Sequence, residues 1–219
     1  MHSKTEARNN VANLTSVAVL VVAAYAGFQM LADIASLKIG VVAGFSVDMG
    51  TFIYPLTFTL RDMAHKVIGK KSTRTLVIAT ALLNLIMAGY LQFCIKVPAD
   101  SSWAFDEEFS RILGPLWRIV IASIAAEVVS ELADTEIYHW FRSRTPRHQW
   151  ARVLLSNSIS IPLDNIIFSF GAFYGIVATA AVWQIFAVNL AVKALVGVVG
   201  IPLIYLIPDR YDRFDELDR

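Results

Sequence analysis

The sequence predicts an all-α membrane protein with six transmembrane helices in a single membrane domain, residues 1–219. Of its 219 residues, 56% are hydrophobic, and the mean hydropathy of +0.56 is too high for an ordinary soluble domain. The apolar residues fall into runs of about 20, the length that a helix needs to cross a bilayer. Short clusters of Lys and Arg separate these runs, so membrane-spanning and aqueous segments alternate along the chain.

The six spans follow from apolar runs that end at charged or turn-forming residues. They are predicted at residues 11–35, 50–67, 74–95, 115–138, 151–173 and 178–207. The first run is longer than the apolar region of a cleaved signal peptide, which has roughly 7–15 residues, and we expect it to remain in the membrane. In the third span, Asn84 and Gln92 are expected to form hydrogen bonds between helices.

The second span is the least regular of the six. Pro55 removes a backbone hydrogen-bond donor, and the adjacent charges of Arg61 and Asp62 interrupt the apolar run. We therefore expect a broken or partly re-entrant helix in this part of the chain.

The distribution of Lys and Arg predicts that both termini lie in the cytoplasm. Basic residues of short loops concentrate on the cytoplasmic side of a membrane. Most basic residues between the spans or at their ends fall on one side of the predicted topology: Lys4, Arg8, Lys66, Lys70, Lys71, Arg74, Arg142, Arg144, Arg147, Arg152, Arg210 and Arg213. The opposite side, with outer loops at residues 38–49, 96–114 and 174–177, holds Lys38, Lys96 and Arg111.

The fourth span places three carboxyl groups on one helical face. Glu127, Glu131 and Asp134 are spaced i, i+4 and i+7, which brings them onto the same side of a helix. Glu127 is expected near the middle of the bilayer and Asp134 toward the cytoplasm. Because ionisable groups in spanning helices avoid lipid, this face is predicted to point into a helix bundle or a polar cavity.

The fifth span carries a polar stripe that reaches the middle of the bilayer. The stripe begins near Asn157 at the cytoplasmic end and leads to Asp164 and Asn165. Pro162 frees a backbone carbonyl one turn earlier, which is typical of a helix that lines a cavity.

The sixth span contains Lys193 within an otherwise uncharged run, residues 178–207. Asn189 lies four residues earlier and shares its helical face. An ammonium group at the centre of a bilayer costs about 3 kcal/mol on insertion scales, so Lys193 is expected to face an anionic partner or a polar cavity.

Two interpretations of these buried charges remain open. In the structural interpretation, Lys193 pairs with one carboxylate and the other polar groups fix the packing of the helices. In the functional interpretation, the spans surround a central site that water can enter. Glu127, Glu131 and Asp164 outnumber Lys193, and surplus buried carboxyl groups must be protonated or hydrated, which favours the functional interpretation.

Composition and motifs argue against several classes of function. The formal net charge is +1 and the basic residues form no continuous stripe, so no nucleic acid binding is predicted. Common enzyme motifs are absent, as is a phosphate-binding glycine loop, and we predict a non-enzyme without a cofactor. The histidines lack metal-ligand spacing, and Cys94 is the single cysteine, so no metal site is predicted. Transport by this chain alone would be passive or ion-coupled.

Four groups of residues, in chain order, resemble the pattern of a known family. The second span has Tyr54, Pro55, Phe58, Asp62 and Gly69; the fourth has Arg118, Ala122, Ser123, Glu131, Asp134 and Arg142; the fifth has Asp164, Phe168, Ala172 and Phe173; and the sixth has Lys193, Pro202 and Tyr205. Together they resemble the queuosine precursor transporter family, also called the vitamin uptake transporter family. Glu131 departs from the pattern, which has glutamine there, and Asn189 replaces an acid of some relatives.

The resemblance implies a fold similar to the substrate-binding subunits of energy-coupling-factor vitamin transporters. It also implies a multi-pass protein of the bacterial inner membrane that imports queuosine precursors. These are 7-deazaguanine bases such as 7-cyano-7-deazaguanine or 7-aminomethyl-7-deazaguanine. A homodimer is compatible with the resemblance. Two alternatives remain: a binding subunit that needs a separate ATP-driven module, and a membrane scaffold that does not transport.

A deazaguanine base offers N–H donors, a carbonyl acceptor and a flat ring, and the spans supply complementary groups. We expect carboxylates to accept hydrogen bonds from the base, an asparagine to contact its carbonyl and an aromatic ring to stack on it. Lys193 would keep the acids ionised, and Glu127 would receive an aminomethyl cation. The candidate substrate-binding residues are Asp164, Glu131, Lys193, Asn157, Asn165, Glu127, Tyr54, Phe58 and Asn189.

Overall fold

The computed structural model describes the backbone of residues 2–144 and 149–205. It describes their side chains except at positions 2–15, 70, 131, 134–144, 149–157 and 197–205. The elements in chain order are α1 (His2–Ala35), β1 (Ile39–Val42), β2 (Phe45–Asp48), α2 (Tyr54–Lys96), α3 (Asp106–Leu113), α4 (Leu116–Arg144), α5 (Gln149–Phe173) and α6 (Thr179–Tyr205). A short 3-10 helix, Met49–Phe52, precedes α2.

Helices that can cross a membrane dominate the described part of the chain. Four are long and apolar enough: Ser16–Ala35, Lys71–Lys96, Asp106–Ser130 and Thr179–Val196. Ser158–Phe173 is a shorter apolar helix. The chain is therefore a mostly helical, multi-pass membrane protein, as the sequence predicted. The full set of six spans stays a prediction, because among the described residues the fifth predicted span is represented by the shorter apolar helix Ser158–Phe173, and none of the four candidate spans covers residues 50–67.

The irregular point of α2 is Gly69, and the helix is continuous through Pro55, Arg61 and Asp62. The predicted second span is nevertheless broken just before Pro55, where the 3-10 helix Met49–Phe52 is followed by α2. Pro55 lies in the first helical turn. Backbone N–H groups of the first turn have no acceptor within the helix, so proline costs no hydrogen bond there. Gly69 has φ 80° and ψ 167°, a conformation that is essentially restricted to glycine. It divides α2 near the predicted boundary between the second and third spans. The Thr73 hydroxyl donates a hydrogen bond to the Gly69 carbonyl at 2.9 Å.

A β-hairpin occupies the outer loop predicted at residues 38–49. Strands β1 and β2 are antiparallel, with Ile39 opposite Asp48 and Val42 opposite Phe45. Ala43 and Gly44 both have positive φ, as a tight two-residue hairpin turn requires. The backbone N–H of Ser46 donates to Oε1 of Gln184 at 2.8 Å. This bond ties the hairpin to α6.

The outer loop predicted at residues 96–114 contains the short helix α3. The Trp103 and Phe109 rings meet edge to face, with their centroids 5.8 Å apart. Before the helix, hydrogen bonds from the hydroxyl and backbone N–H of Ser102 hold the pKa of Asp100 below its ordinary value. The loop therefore has local structure that its polar composition did not predict.

The chain packs into two compact units. The first unit contains the described residues up to Ala32, Gly50–Asn84 and those from Val192 onward. Its apolar cluster joins α1 and α2 through Val21, Tyr25, Ala64 and Leu76. In this cluster the short Ala64 side chain allows the two helices to pack closely.

The second unit contains Asp33–Met49 and Leu85–Ala191. Helix α4 packs along α5 within it. Two apolar clusters form its core: one has Ile119, Ala122, Ala172, Phe173, Val182 and Ile185 at its centre, and the other has Ala88, Leu116 and Val120. The first cluster brings the beginning of α6 against α4 and α5, so these three helices position the polar residues described below.

Close packing between α4 and α5 depends on Gly171. A Cβ atom at this position would lie 2.9 Å from the Cβ atom of Ala122. We expect Gly171→Ala to lower the free energy of unfolding by about 1–3 kcal/mol, because overpacking forces the helices apart. Thermal unfolding of the detergent-solubilised protein measures the change. Gly89→Ala is the matched control, since a Cβ atom there meets no atom within 4 Å. Equal midpoints for the two variants would contradict the expectation.

Candidate functional site

Helix α5 buries a row of polar side chains in the second unit. Ser160, Asp164, Asn165 and Ser169 are all buried, and Asn165 and Ser169 are 0% exposed. Residues 160 and 164, and likewise 165 and 169, are one helical turn apart and share a face. The part of the predicted polar stripe from Ser160 to Asn165 is therefore buried, and the row of buried polar residues extends to Ser169, whereas the side chain of Asn157 is outside the described residues.

The amide of Asn165 has unmet hydrogen-bonding capacity on both of its polar atoms. Nδ2 and Oδ1 of Asn165 have no hydrogen-bond partner among the described residues, and the same holds for Oγ of Ser169. Leaving a buried polar group unpaired costs about 1–3 kcal/mol. A buried amide with an available donor and acceptor is suited to a ligand that carries both kinds of group.

A second polar cluster in this unit joins α1 and α4. Ser123 is buried and Glu127 half-buried on α4, one turn apart. The carboxyl group of Asp33, 2% exposed, is hydrogen-bonded to Ser123, and the charge of Glu127 acts on it. Asp33 was not among the residues predicted from the sequence. The signal that could have indicated it is an acid inside the first apolar run.

The remaining predicted residues divide between the two units. Asn189 is buried in the second unit, which also contains the buried Asp164 and Asn165 and the half-buried Glu127. The first unit contains Lys193, Tyr54 and Phe58. Glu131 and Asn157 lie on α4 and α5, but their side chains are outside the described residues. A single site that unites all nine residues stays a prediction.

In the first unit, Lys193 lies over two aromatic rings. Its Nζ atom is 5.0 Å from the ring centroid of Tyr54 and 5.8 Å from that of Phe58. The two rings meet edge to face, 5.4 Å apart. Such cation–π contacts stabilise an ammonium group where little water is available. The sequence predicted an anionic partner or a polar cavity for Lys193 and a stacking role for a ring of Tyr54 or Phe58. These stay predictions, and the contact of Lys193 with both rings was not foreseen.

Arg118 of α4 holds the end of α5. Its Nε atom donates to the carbonyl of Gly171 at 2.7 Å, and a terminal guanidinium nitrogen donates to the carbonyl of Tyr174 at 2.6 Å. The last carbonyls of a helix have no intrahelical partner, and a positive charge near them is favourable. Arg118 thereby fixes the end of the helix that carries Asp164 and Asn165.

A family comparison identifies the chain. Residues 48–207 match the family model described as "Putative vitamin uptake transporter". This match covers well over half of the chain. The chain belongs to the vitamin uptake transporter family. The resemblance noted in the sequence is confirmed.

A curated relative adds to this assignment. It is a protein of Haemophilus influenzae (strain ATCC 51907 / DSM 11121 / KW20 / Rd) named "Probable queuosine precursor transporter". It is 25% identical over 130 residues, which cover 59% of this chain and 53% of the relative. The chain thus spans about half the length of the relative it matches. No solved structure matches the chain.

The vitamin uptake transporter match includes every predicted site residue, from Tyr54 to Lys193, and begins after Asp33. In the part of the chain that the structure describes, no group of three His, Cys, Asp or Glu side chains could hold a metal ion. Apart from Lys193, the buried polar residues that the structure describes carry carboxyl, amide and hydroxyl groups. Such groups suit recognition of a small polar molecule by hydrogen bonds.

The anchoring role of Arg118 can be measured through stability. We expect Arg118→Gln to lower the free energy of unfolding by about 1 kcal/mol or more, because two carbonyls lose charged donors. Arg111→Gln is the control: Arg111 contacts Glu107 at 2.6 Å, but both side chains are largely exposed. Exposed ion pairs contribute little. Thermal unfolding in detergent compares the variants, and a larger effect at Arg111 would contradict the anchoring role.

Proposed function

We propose that this protein imports queuosine precursors of the 7-deazaguanine type across the bacterial inner membrane. In this proposal six helices span the membrane in an arrangement similar to energy-coupling-factor binding subunits, with both termini in the cytoplasm. The support comes from family membership, from the name of the Haemophilus influenzae relative and from the polar residues buried among apolar helices.

The observation that carries the proposal is the unpaired amide of Asn165. Its Nδ2 and Oδ1 atoms are buried on α5 without a partner among the described residues. A guanine-type base presents a carbonyl acceptor beside N–H donors, so it can bond to both atoms of one amide. A buried site of this kind rejects analogues that lack the matching groups, because its polar atoms are then left unpaired.

Other buried groups of the second unit complement the rest of the base. In the proposed site, Asp164 accepts hydrogen bonds from the N–H edge, and Asn189 supplies a further amide. Glu127 is half-buried and carries the charge that an aminomethyl substituent requires. These assignments give the carboxyl groups within the apolar helices a role in substrate binding. A charged side chain in a membrane segment that has no such role lowers stability.

The test of transport uses the purified chain alone in liposomes. We expect it to take up labelled 7-cyano-7-deazaguanine without any ATPase present. Uptake that appears only after an ATP-driven module is added would favour the binding-subunit alternative. A chain that binds no deazapurine would instead be a membrane scaffold. Empty liposomes provide the control for passive leakage.

The variant Asn165→Leu tests whether Asn165 contributes to the affinity for the base rather than to the stability of the protein. Because leucine removes an unpaired buried amide at similar volume, we expect equal or higher thermal stability. We also expect the affinity for the base to fall about tenfold or more, which corresponds to about 1.4 kcal/mol. Ligand-induced thermal stabilisation measures both quantities. Asn84→Leu, which removes a buried amide of the first unit, should leave the affinity unchanged. An unaltered affinity in Asn165→Leu would contradict this assignment.

A further inference from the structure

Asp33 is a buried acid that the proposed recognition residues do not use. It lies near the end of the apolar segment Ser16–Ala35. One of its carboxyl oxygens is hydrogen-bonded to Ser123, and the charge of Glu127 acts on the same carboxyl group. The other oxygen, Oδ2, is buried and has no hydrogen-bond partner among the described residues. The group therefore has a free position for a proton, next to a second carboxyl group.

A second acid acts on the carboxyl group of Asp33. Two neighbouring carboxylates in a low-dielectric interior repel each other, and this repulsion adds to the cost of desolvation. Among the described residues, the charge of Glu127 on α4 acts on Asp33. Protonation of either carboxyl group removes the repulsion between them.

The surrounding elements carry other titratable or charged groups. On α4 these include Arg118, which bonds to the end of α5, and Glu131, whose side chain is outside the described residues. The segment after α1 packs on α2 through Leu37. In this unit α2 carries Tyr90, Cys94 and Lys96, while Lys38 and Asp48 belong to the hairpin segment and Asp164 to α5.

Asp48 provides an internal comparison. It is as deeply buried as Asp33, but its Oδ1 atom accepts a hydrogen bond from the Ser36 hydroxyl at 2.7 Å within the hairpin region. That contact fixes the hairpin to the end of α1. Asp48 therefore has a structural role, whereas Asp33 faces another acid and keeps an oxygen available.

We propose that Asp33 carries the proton that couples import to the proton gradient; this inference rests on the proposed transport function. A proton from the outer aqueous phase adds to the carboxylate at Oδ2 and gives a neutral carboxylic acid. It leaves from the same oxygen toward the cytoplasm, and no other bond forms or breaks. Protonation removes the repulsion from Glu127 and deprotonation restores it, so the two states differ in local charge.

Liposomes with an imposed pH gradient test this proposal. With the outside more acidic than the lumen, we expect the chain to take up labelled 7-cyano-7-deazaguanine several-fold faster than without a gradient. Asp33→Asn should lose this acceleration but keep the exchange of labelled for unlabelled base at equal pH. A lumenal pH dye should report acidification when unlabelled base is added outside the wild-type protein, and no acidification with Asp33→Asn.

Two further variants control for structural damage. Asp33→Glu retains a carboxyl group and should retain the gradient response, even if Asp33→Asn folds poorly. Asp48→Asn alters a buried acid of the hairpin and should also retain the response. A gradient response in Asp33→Asn equal to that of the wild type would overturn the proposal, as would wild-type exchange without any response. If the wild type shows no exchange, the transport function itself fails.

Discussion

Hydrocarbon offers no hydrogen bonds, so every polar group buried among the apolar helices must find its partner inside the protein. This constraint explains most of the polar contacts in the structure. Arg118 bonds to carbonyls at the end of α5, Ser36 bonds to Asp48, and Lys193 lies over two aromatic rings. Asn165 departs from the rule, because its whole amide lacks a partner among the described residues. In the proposed function, the substrate supplies the partners that this amide lacks.

The helices could be predicted from the sequence because their information is local. Apolar runs of spanning length fixed α1, α4 and α6 to within a few residues at their outer ends, and Tyr174–Val177 was correctly expected to be a turn. Gly69 was harder, because a single glycine between helical segments does not reveal its φ angle. The hairpin escaped prediction because its strands have four residues each, too few for a periodic pattern.

The buried polar residues of the candidate site could be predicted only in part. Asp164, Asn165 and Asn189 were conspicuous as polar residues inside apolar runs, and all three are buried. The contact between Asp33 and Ser123 joins residues far apart in sequence, so neither residue alone indicated it. The contact of Lys193 with two aromatic rings likewise joins distant parts of the chain, and the substrate contact expected of a ring stays a prediction.

The bond between Ser46 and Gln184 joins residues that are 138 positions apart. Contacts of such long sequence separation form late, because a large loop must close before they can stabilise the fold. During synthesis, the hairpin leaves the ribosome long before the helix that receives it. The hairpin can therefore be attached to α6 only after the beginning of α6 has been synthesised. The bond between Ser46 and Gln184 is expected to form only when the helices of the second unit have assembled.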